Sequence, residues 1–148
     1  MATSQARMRT RDIRIVGAAW GIGAQDRGCA DAPEHLHAAG LTRALRWRSG
    51  RTSWHETIAA PPLDSHNATN AATPEAITRW QPISPLATLT ELNRRLSASV
   101  SAIVRDGDLA VVLGGDHTCA IGTWTGAAQA LRAEGAIGLL WLDAHLDS

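Results

Sequence analysis

His117, Asp143, His145 and Asp147 are the residues whose types and spacing could do chemistry. Imidazoles and carboxylates with no thiolate are the donor set of a divalent metal ion. Asp143, His145 and Asp147 stand at alternate positions, and side chains alternate along an extended backbone. These three therefore project to one side, while Ala144 and Leu146 point to the other. A plainer reading makes them a polar loop, its acids capping a helix and its histidines satisfied by hydrogen bonds. Four ligand-type residues at neighbouring strand ends favour the metal, because acids rarely cluster without partners.

The elements that must position them fill residues 109–148. LAVVL (109–113) reads as a strand, followed by Gly114-Gly115-Asp116-His117, a helix over 118–134, and a second strand, GLLWL (138–142). Parallel strands joined by a right-handed helical crossover deliver their C-terminal ends to one sheet edge, where open α/β folds bind ligands. Ile121, Trp124, Ala128 and Leu131 are in helical register, and Gly135 suits the helix end. Thr118 or Asp116 is placed to cap the helix start, and Asp116 could equally orient His117. Cys119, at a helix start, could carry a lowered pKa and act as a nucleophile. With no free histidine base beside it, a small buried residue is the better reading.

The pair GGDHT (114–118) and WLDAHLD (141–147), in this order, resembles the ureohydrolase (arginase/agmatinase) family. The histone-deacetylase branch of the same fold lacks the second motif. The resemblance implies a binuclear Mn²⁺ centre with His117, Asp143, His145 and Asp147 among its ligands. Asp143 would bridge the ions, His117 and Asp147 would serve one, and His145 the other. Ni²⁺, Co²⁺ or Zn²⁺ could also suit such donors. The implied reaction is attack of a metal-bridging hydroxide on a guanidinium carbon, releasing urea and an amine. The family draws a further aspartate pair, substrate contacts and a proton-shuttling histidine from segments that would lie beyond Ser148. Residues 12–148 are therefore expected to be the N-terminal portion of one such domain, incomplete at the C-terminus and inactive by itself. The complete protein is expected to be a homo-oligomer acting on a small guanidino compound. Two alternatives stand: a truncated, non-catalytic metal-binding remnant, or a related hydrolase of formimino or amide substrates.

Earlier in the chain, IRIVGAA (13–19) is a short, β-branched run bounded by glycine and reads as a buried strand. Trp20-Gly21-Ile22-Gly23 follows, but Asp26 stands where a dinucleotide fingerprint needs its third glycine. Asp31 and Glu34 have capping-box spacing, and with Pro33 and Gly40 they predict a helix over 32–39. This stretch also resembles the opening of ureohydrolases, which implies that Asp26 and Arg27 lie on a loop near the active-site edge. SWHETI (53–58) alternates as an edge-like strand, with His55 a solvated residue. Residues 59–74 read as a surface loop, and Asn67-Ala68-Thr69 as a chance glycosylation sequon. Ser84 as N-cap and Pro85 open a helix whose Leu86, Leu89, Leu92, Leu96, Val100 and Ile103 form an apolar stripe. Arg94, Arg95 and Ser99 take its other face, and Asp106-Gly107-Asp108 turns into LAVVL.

With 148 residues, a 45% hydrophobic fraction and zero formal net charge, the chain has room for one modest domain. That charge gives no ground for a nucleic-acid or anionic-membrane partner. All basic residues are Arg, and Trp replaces Phe and Tyr, a composition bias without functional content. Residues 1–11 are expected to be a disordered tail. The absence of an apolar leader or membrane-length run, with only Cys29 and Cys119, suits the cytoplasm. Strands alternating with helices predict an α/β class: a three-layer α/β/α arrangement with a mainly parallel sheet, arginase/deacetylase-like.

Overall fold

The computed structural model describes residues 11–45, 50–60 and 83–142. Residues 1–10 of the expected tail (1–11), residues 61–74 of the expected loop (59–74) with its sequon, the Ser84 side chain and all of 143–148 lie outside those residues, while Ala59 belongs to a strand rather than the loop. Three parallel strands, β1 (Ile13–Ala19), β2 (Thr52–Ala59) and β3 (Leu109–Gly114), form one sheet in the order β2-β1-β3. The helices are α1 (Ala32–Ala38), the short α2 (Leu41–Ala44), α3 (Ile83–Arg105) and α4 (Cys119–Leu131).

β1 is central because it can be buried on both faces. Val16 and Ala18 pack with Ile58 of β2 against Leu92, Leu96, Val100 and Ile103 of α3. Each such large apolar side chain contributes about 1.5–3 kcal/mol through burial. On the opposite face a Cβ at Gly17 would lie 3.0 Å from the Cβ of Pro33 and 2.9 Å from the Trp54 ring. Trp54 in turn stacks on His37 of α1, with ring centroids 4.1 Å apart and an interplanar angle of 5°. Helices thus cover both faces, giving the expected three layers.

The β1–β2 register slips between Ile15 and Val16, which pair with Trp54 and Glu56 and leave His55 as the extra residue of a bulge. His55 is exposed, as expected. At the N-terminal end of the central strand Arg14 pairs with Asp106 at 3.0 Å and with the buried Asp108 at 2.6 Å.

The end of α3 shows how sequence sets a turn. Gly107 takes φ +81°, its N–H donates to the Val104 carbonyl, and the Asp108 N–H donates to the Ile103 carbonyl. This is a Schellman arrangement, open to glycine because a Cβ is disfavoured at positive φ. Gly40 ends α1 similarly at φ +85°.

Four expectations are corrected. Asp31 precedes α1, but its side chain makes no capping bond. A 3-10 turn (Arg27–Asp31) leads into the helix, and Asp31 is already in helical conformation at φ −83° and ψ −12°. Ser99 is buried rather than on a solvent face, since α3 is covered by both the sheet and α4. The apolar stripe assigned to the crossover helix is not its packed face. Ile121 is 63% exposed, whereas Gly122 and Gly126 are buried against Asn93, Leu96, Ser97 and Val100 of α3. Close approach of two helix backbones selects glycine there, so the contact runs through residues an apolar pattern ignores. Finally, GLLWL forms no strand, and the described part of β3 pairs with β1 alone. Leu139, Leu140 and Leu142 are largely exposed, so this run has neither ladder bonds nor a covering layer to hold it extended.

Candidate metal centre

The strand order reverses at β1: the chain leaves it for β2 on one side and returns to β3 on the other. Ligands of open α/β sheets bind at such a switch point, beyond the C-terminal strand ends. The two loops at that point are Trp20–Gly23 after β1 and Gly114–His117 after β3. His117 is therefore delivered to the crevice by topology. Its side chain is exposed, and its carbonyl accepts from the Ala120 N–H at 3.0 Å, which fixes it in the first turn of α4.

Glycine lets the two loops touch. The Gly115 N–H donates to the Ala18 carbonyl at 2.9 Å, continuing the β1–β3 ladder one residue past the strand. A Cβ at Gly115 would collide with the Trp20 carbonyl and lie 3.2 Å from the Ala30 Cα. One at Gly114 would run into the Cys119 sulfur. Gly21 serves the same purpose against the Arg27 carbonyl, at 2.9 Å from a would-be Cβ.

Asp116 is occupied by its neighbours. Its Oδ1 accepts from the Thr118 N–H at 2.8 Å and from the Thr118 hydroxyl, and its Oδ2 accepts from the Gly23 N–H at 2.7 Å. Thr118 holds the N-cap position of α4 without a side-chain capping bond, and Asp116 accepts instead from the N–H of that N-cap residue. The Thr118 hydroxyl also accepts from the Trp20 indole N–H at 2.9 Å. Trp20 is buried in the core. Sequence reading gave no role to Trp20 or Gly23, and the only signal was their place directly after a strand.

Asn93 of α3 satisfies a second N–H at the start of α4. Its Oδ1 accepts from the Gly122 N–H at 2.8 Å, and its amide donates to the Leu89 carbonyl at 3.0 Å. Cys119 is half-buried against the core. Burial pushes its thiol pKa up, the Asp116 carboxylate adds to this, and the backbone hydrogen bond only partly opposes. The lowered pKa that a nucleophile would need is absent, in line with the small-buried-residue reading.

Asp26 closes its own turn, accepting from the Gly28 N–H at 2.8 Å, and Arg27 is exposed on the same loop. Asp143, His145 and Asp147 lie outside the described residues. Among the described residues no group of three or more His, Cys, Asp or Glu side chains converges on one point. The ring of Trp141, two residues before Asp143, meets His117 edge-on, with centroids 5.9 Å apart and an interplanar angle of 80°. Of the four candidate ligands only His117 is among the described residues, and its imidazole is a donor type that suits a divalent ion. None of the described helices is long and apolar enough to cross a membrane.

A model of the arginase family matches residues 11–148. An arginase of Agrobacterium fabrum is 35% identical over 138 residues, which are 93% of this chain and 40% of that protein. A formimidoylglutamase of Aeromonas salmonicida is 29% identical over 122 residues, 82% of this chain and 34% of that protein. The crystal structure of an arginase from Bacillus subtilis superposes with a TM-score of 0.59 at 22% identity, over 80% of this chain and 34% of that one. The sheet and its helices thus reproduce part of the arginase fold. The chain spans about 40% of the length of the arginase it matches. On the match over 11–148, the chain belongs to the arginase family.

Proposed function

We propose that this chain carries the first metal-binding half of an amidinohydrolase that cleaves a C–N bond of a guanidino compound to give urea and an amine. The observation that supports the reading is the His117–Trp141 ring contact, Trp141 standing two residues before the DAHLD segment in sequence. His117, Asp143, His145 and Asp147 would hold the ions, with Asp143 shared between them. When bound, a pair of divalent ions lowers the pKa of a shared water toward neutrality and so supplies a nucleophile. The chain's own part is to present one imidazole from the β3 turn and three donors from alternate positions of one segment. Four ligands are too few for two five- or six-coordinate ions, so the 148 residues alone are expected to bind Mn²⁺ without turnover.

The test has two arms. Mn²⁺ titration, followed by the electron paramagnetic resonance of the free ion, should show binding that His117→Ala and Asp143→Ala each weaken at least about tenfold. Wild-type affinity in both variants would remove these residues from the site. Urea release from arginine, agmatine or guanidine should be absent for the 148-residue chain, and its detection would overturn the inactive-alone reading. The likeness to a formimidoylglutamase favours one second reading, hydrolysis of a formimino C–N bond by the same site. Release of formamide in place of urea, by a longer form carrying these residues, would select it.

A further inference from the structure

We propose that Trp20, Thr118 and Asp116 form a brace that positions His117 for its ion, with Gly23 docking the first loop onto it. The proposal rests on the metal reading above. Indole N–H only donates and carboxylate only accepts, so the direction of the chain is fixed: Trp20 Nε1 to Thr118 Oγ1, then Thr118 to Asp116 Oδ1. Gly23 N–H completes it on Asp116 Oδ2 at 2.7 Å. His117 lies between two residues that are both clamped, and the clamp is anchored in the core by Trp20, which is 1% exposed.

Closing the local turn before α4 needs only the Asp116–Thr118 N–H bond. The bonds from Trp20 and Gly23 cross 98 and 93 residues of sequence, and that turn requires neither. Their effect is to fix the β3 turn relative to the β1 loop, so that both sides of the crevice move as one body. The docking is tight: a Cβ at Gly23 would lie 2.6 Å from Thr118 Cγ2 and 3.4 Å from Asp116 Oδ2. Outer partners of this kind set metal affinity by holding the ligand's backbone and orientation.

The geometry supplies a discriminating set of variants of the full 148-residue chain, with Mn²⁺ as the probe. Thr118→Val keeps the shape and removes the hydroxyl, and should weaken Mn²⁺ binding about 10–100-fold. Thr118→Ser keeps the hydroxyl and should stay within about threefold of wild type. Gly23→Ala should weaken binding about tenfold by striking Thr118 Cγ2, and Gly23→Ala/Thr118→Ser, which lacks that methyl, should recover most of it. Thermal midpoints recorded alongside separate loss of fold from loss of placement. Wild-type affinity in Thr118→Val, or a double variant no better than Gly23→Ala, overturns the brace. If the wild-type chain binds no Mn²⁺, the metal reading fails by itself. The brace is then decided by hydrogen exchange of the Gly23 amide and Trp20 indole. Both should exchange at least about tenfold faster in Thr118→Val than in wild type and Thr118→Ser, and equal rates overturn it.

Discussion

The Trp141 ring meets the His117 imidazole edge-on, with centroids 5.9 Å apart and planes at 80°. A paramagnetic ion held by His117 therefore sits within a few ångströms of the Trp141 indole. Sub-stoichiometric Mn²⁺ should broaden the Trp141 and His117 ring resonances before those of Trp54, which stacks on α1 at the other side of the sheet. Uniform broadening of every tryptophan would place the ion elsewhere.

Glycines at the crevice differ in what they permit. Gly115→Ala must push a methyl into the Trp20 carbonyl, and the overpacking should cost about 1–3 kcal/mol in urea unfolding. Gly138→Ala meets nothing within 4 Å and should change stability by no more than about 0.5 kcal/mol. Equal effects at the two positions would contradict the described approach of the loops.

Asn93 ties α3 to α4 through a buried bond to the Gly122 N–H. Asn93→Ala leaves that N–H without its acceptor and should cost about 1–3 kcal/mol. Its far-ultraviolet dichroism should remain helical while the unfolding midpoint falls. An unchanged midpoint would mean that water replaces Asn93 at no cost.

Cys119 gives a pH dependence with a definite sign. Its thiol pKa is raised by burial and by the Asp116 carboxylate, so the folded state holds the proton more firmly than the unfolded chain. The stability this gives is intact below the ordinary thiol pKa of 9.0 and is lost as pH rises from there through the raised value. Cys119→Ser should flatten the alkaline side of the stability profile. Iodoacetamide should label Cys119 more slowly than an ordinary thiol at pH 8, and faster labelling would contradict the raised pKa.

Much of this was legible from the chain, for physical reasons that differ by element. β1 showed itself because a β-branched run bounded by glycine has few alternatives to a buried strand. The stripe from Leu92 to Ile103 did so because helical period and burial coincide there. At α4 they part company: Gly122 and Gly126 are buried because small size permits contact, while the apolar Ile121 faces outward. Period-based reading weighs hydrophobicity and cannot see close approach. The position of His117 just past the end of β3 was legible because an apolar run closed by two glycines marks where the strand stops. Trp20 and Gly23 were not, because their bonds to the β3 turn join residues more than ninety positions apart. GLLWL had the composition of a strand, but composition does not supply a partner to pair with.

The sheet order carries a consequence for how the chain is made. Among the described strands, Ile13–Ala19 leaves the ribosome before both of its neighbours yet lies between them, and Leu109–Gly114 follows well after Thr52–Ala59. At cellular synthesis rates the interval between β1 and β3 is roughly 5–20 s. Through that time one hydrogen-bonding edge of β1 waits unpaired, and the surface of Val16 and Ala18 waits for α3. Nascent-chain crosslinking should find β1 held by a ribosome-associated chaperone until β3 has cleared the exit tunnel, and released afterwards.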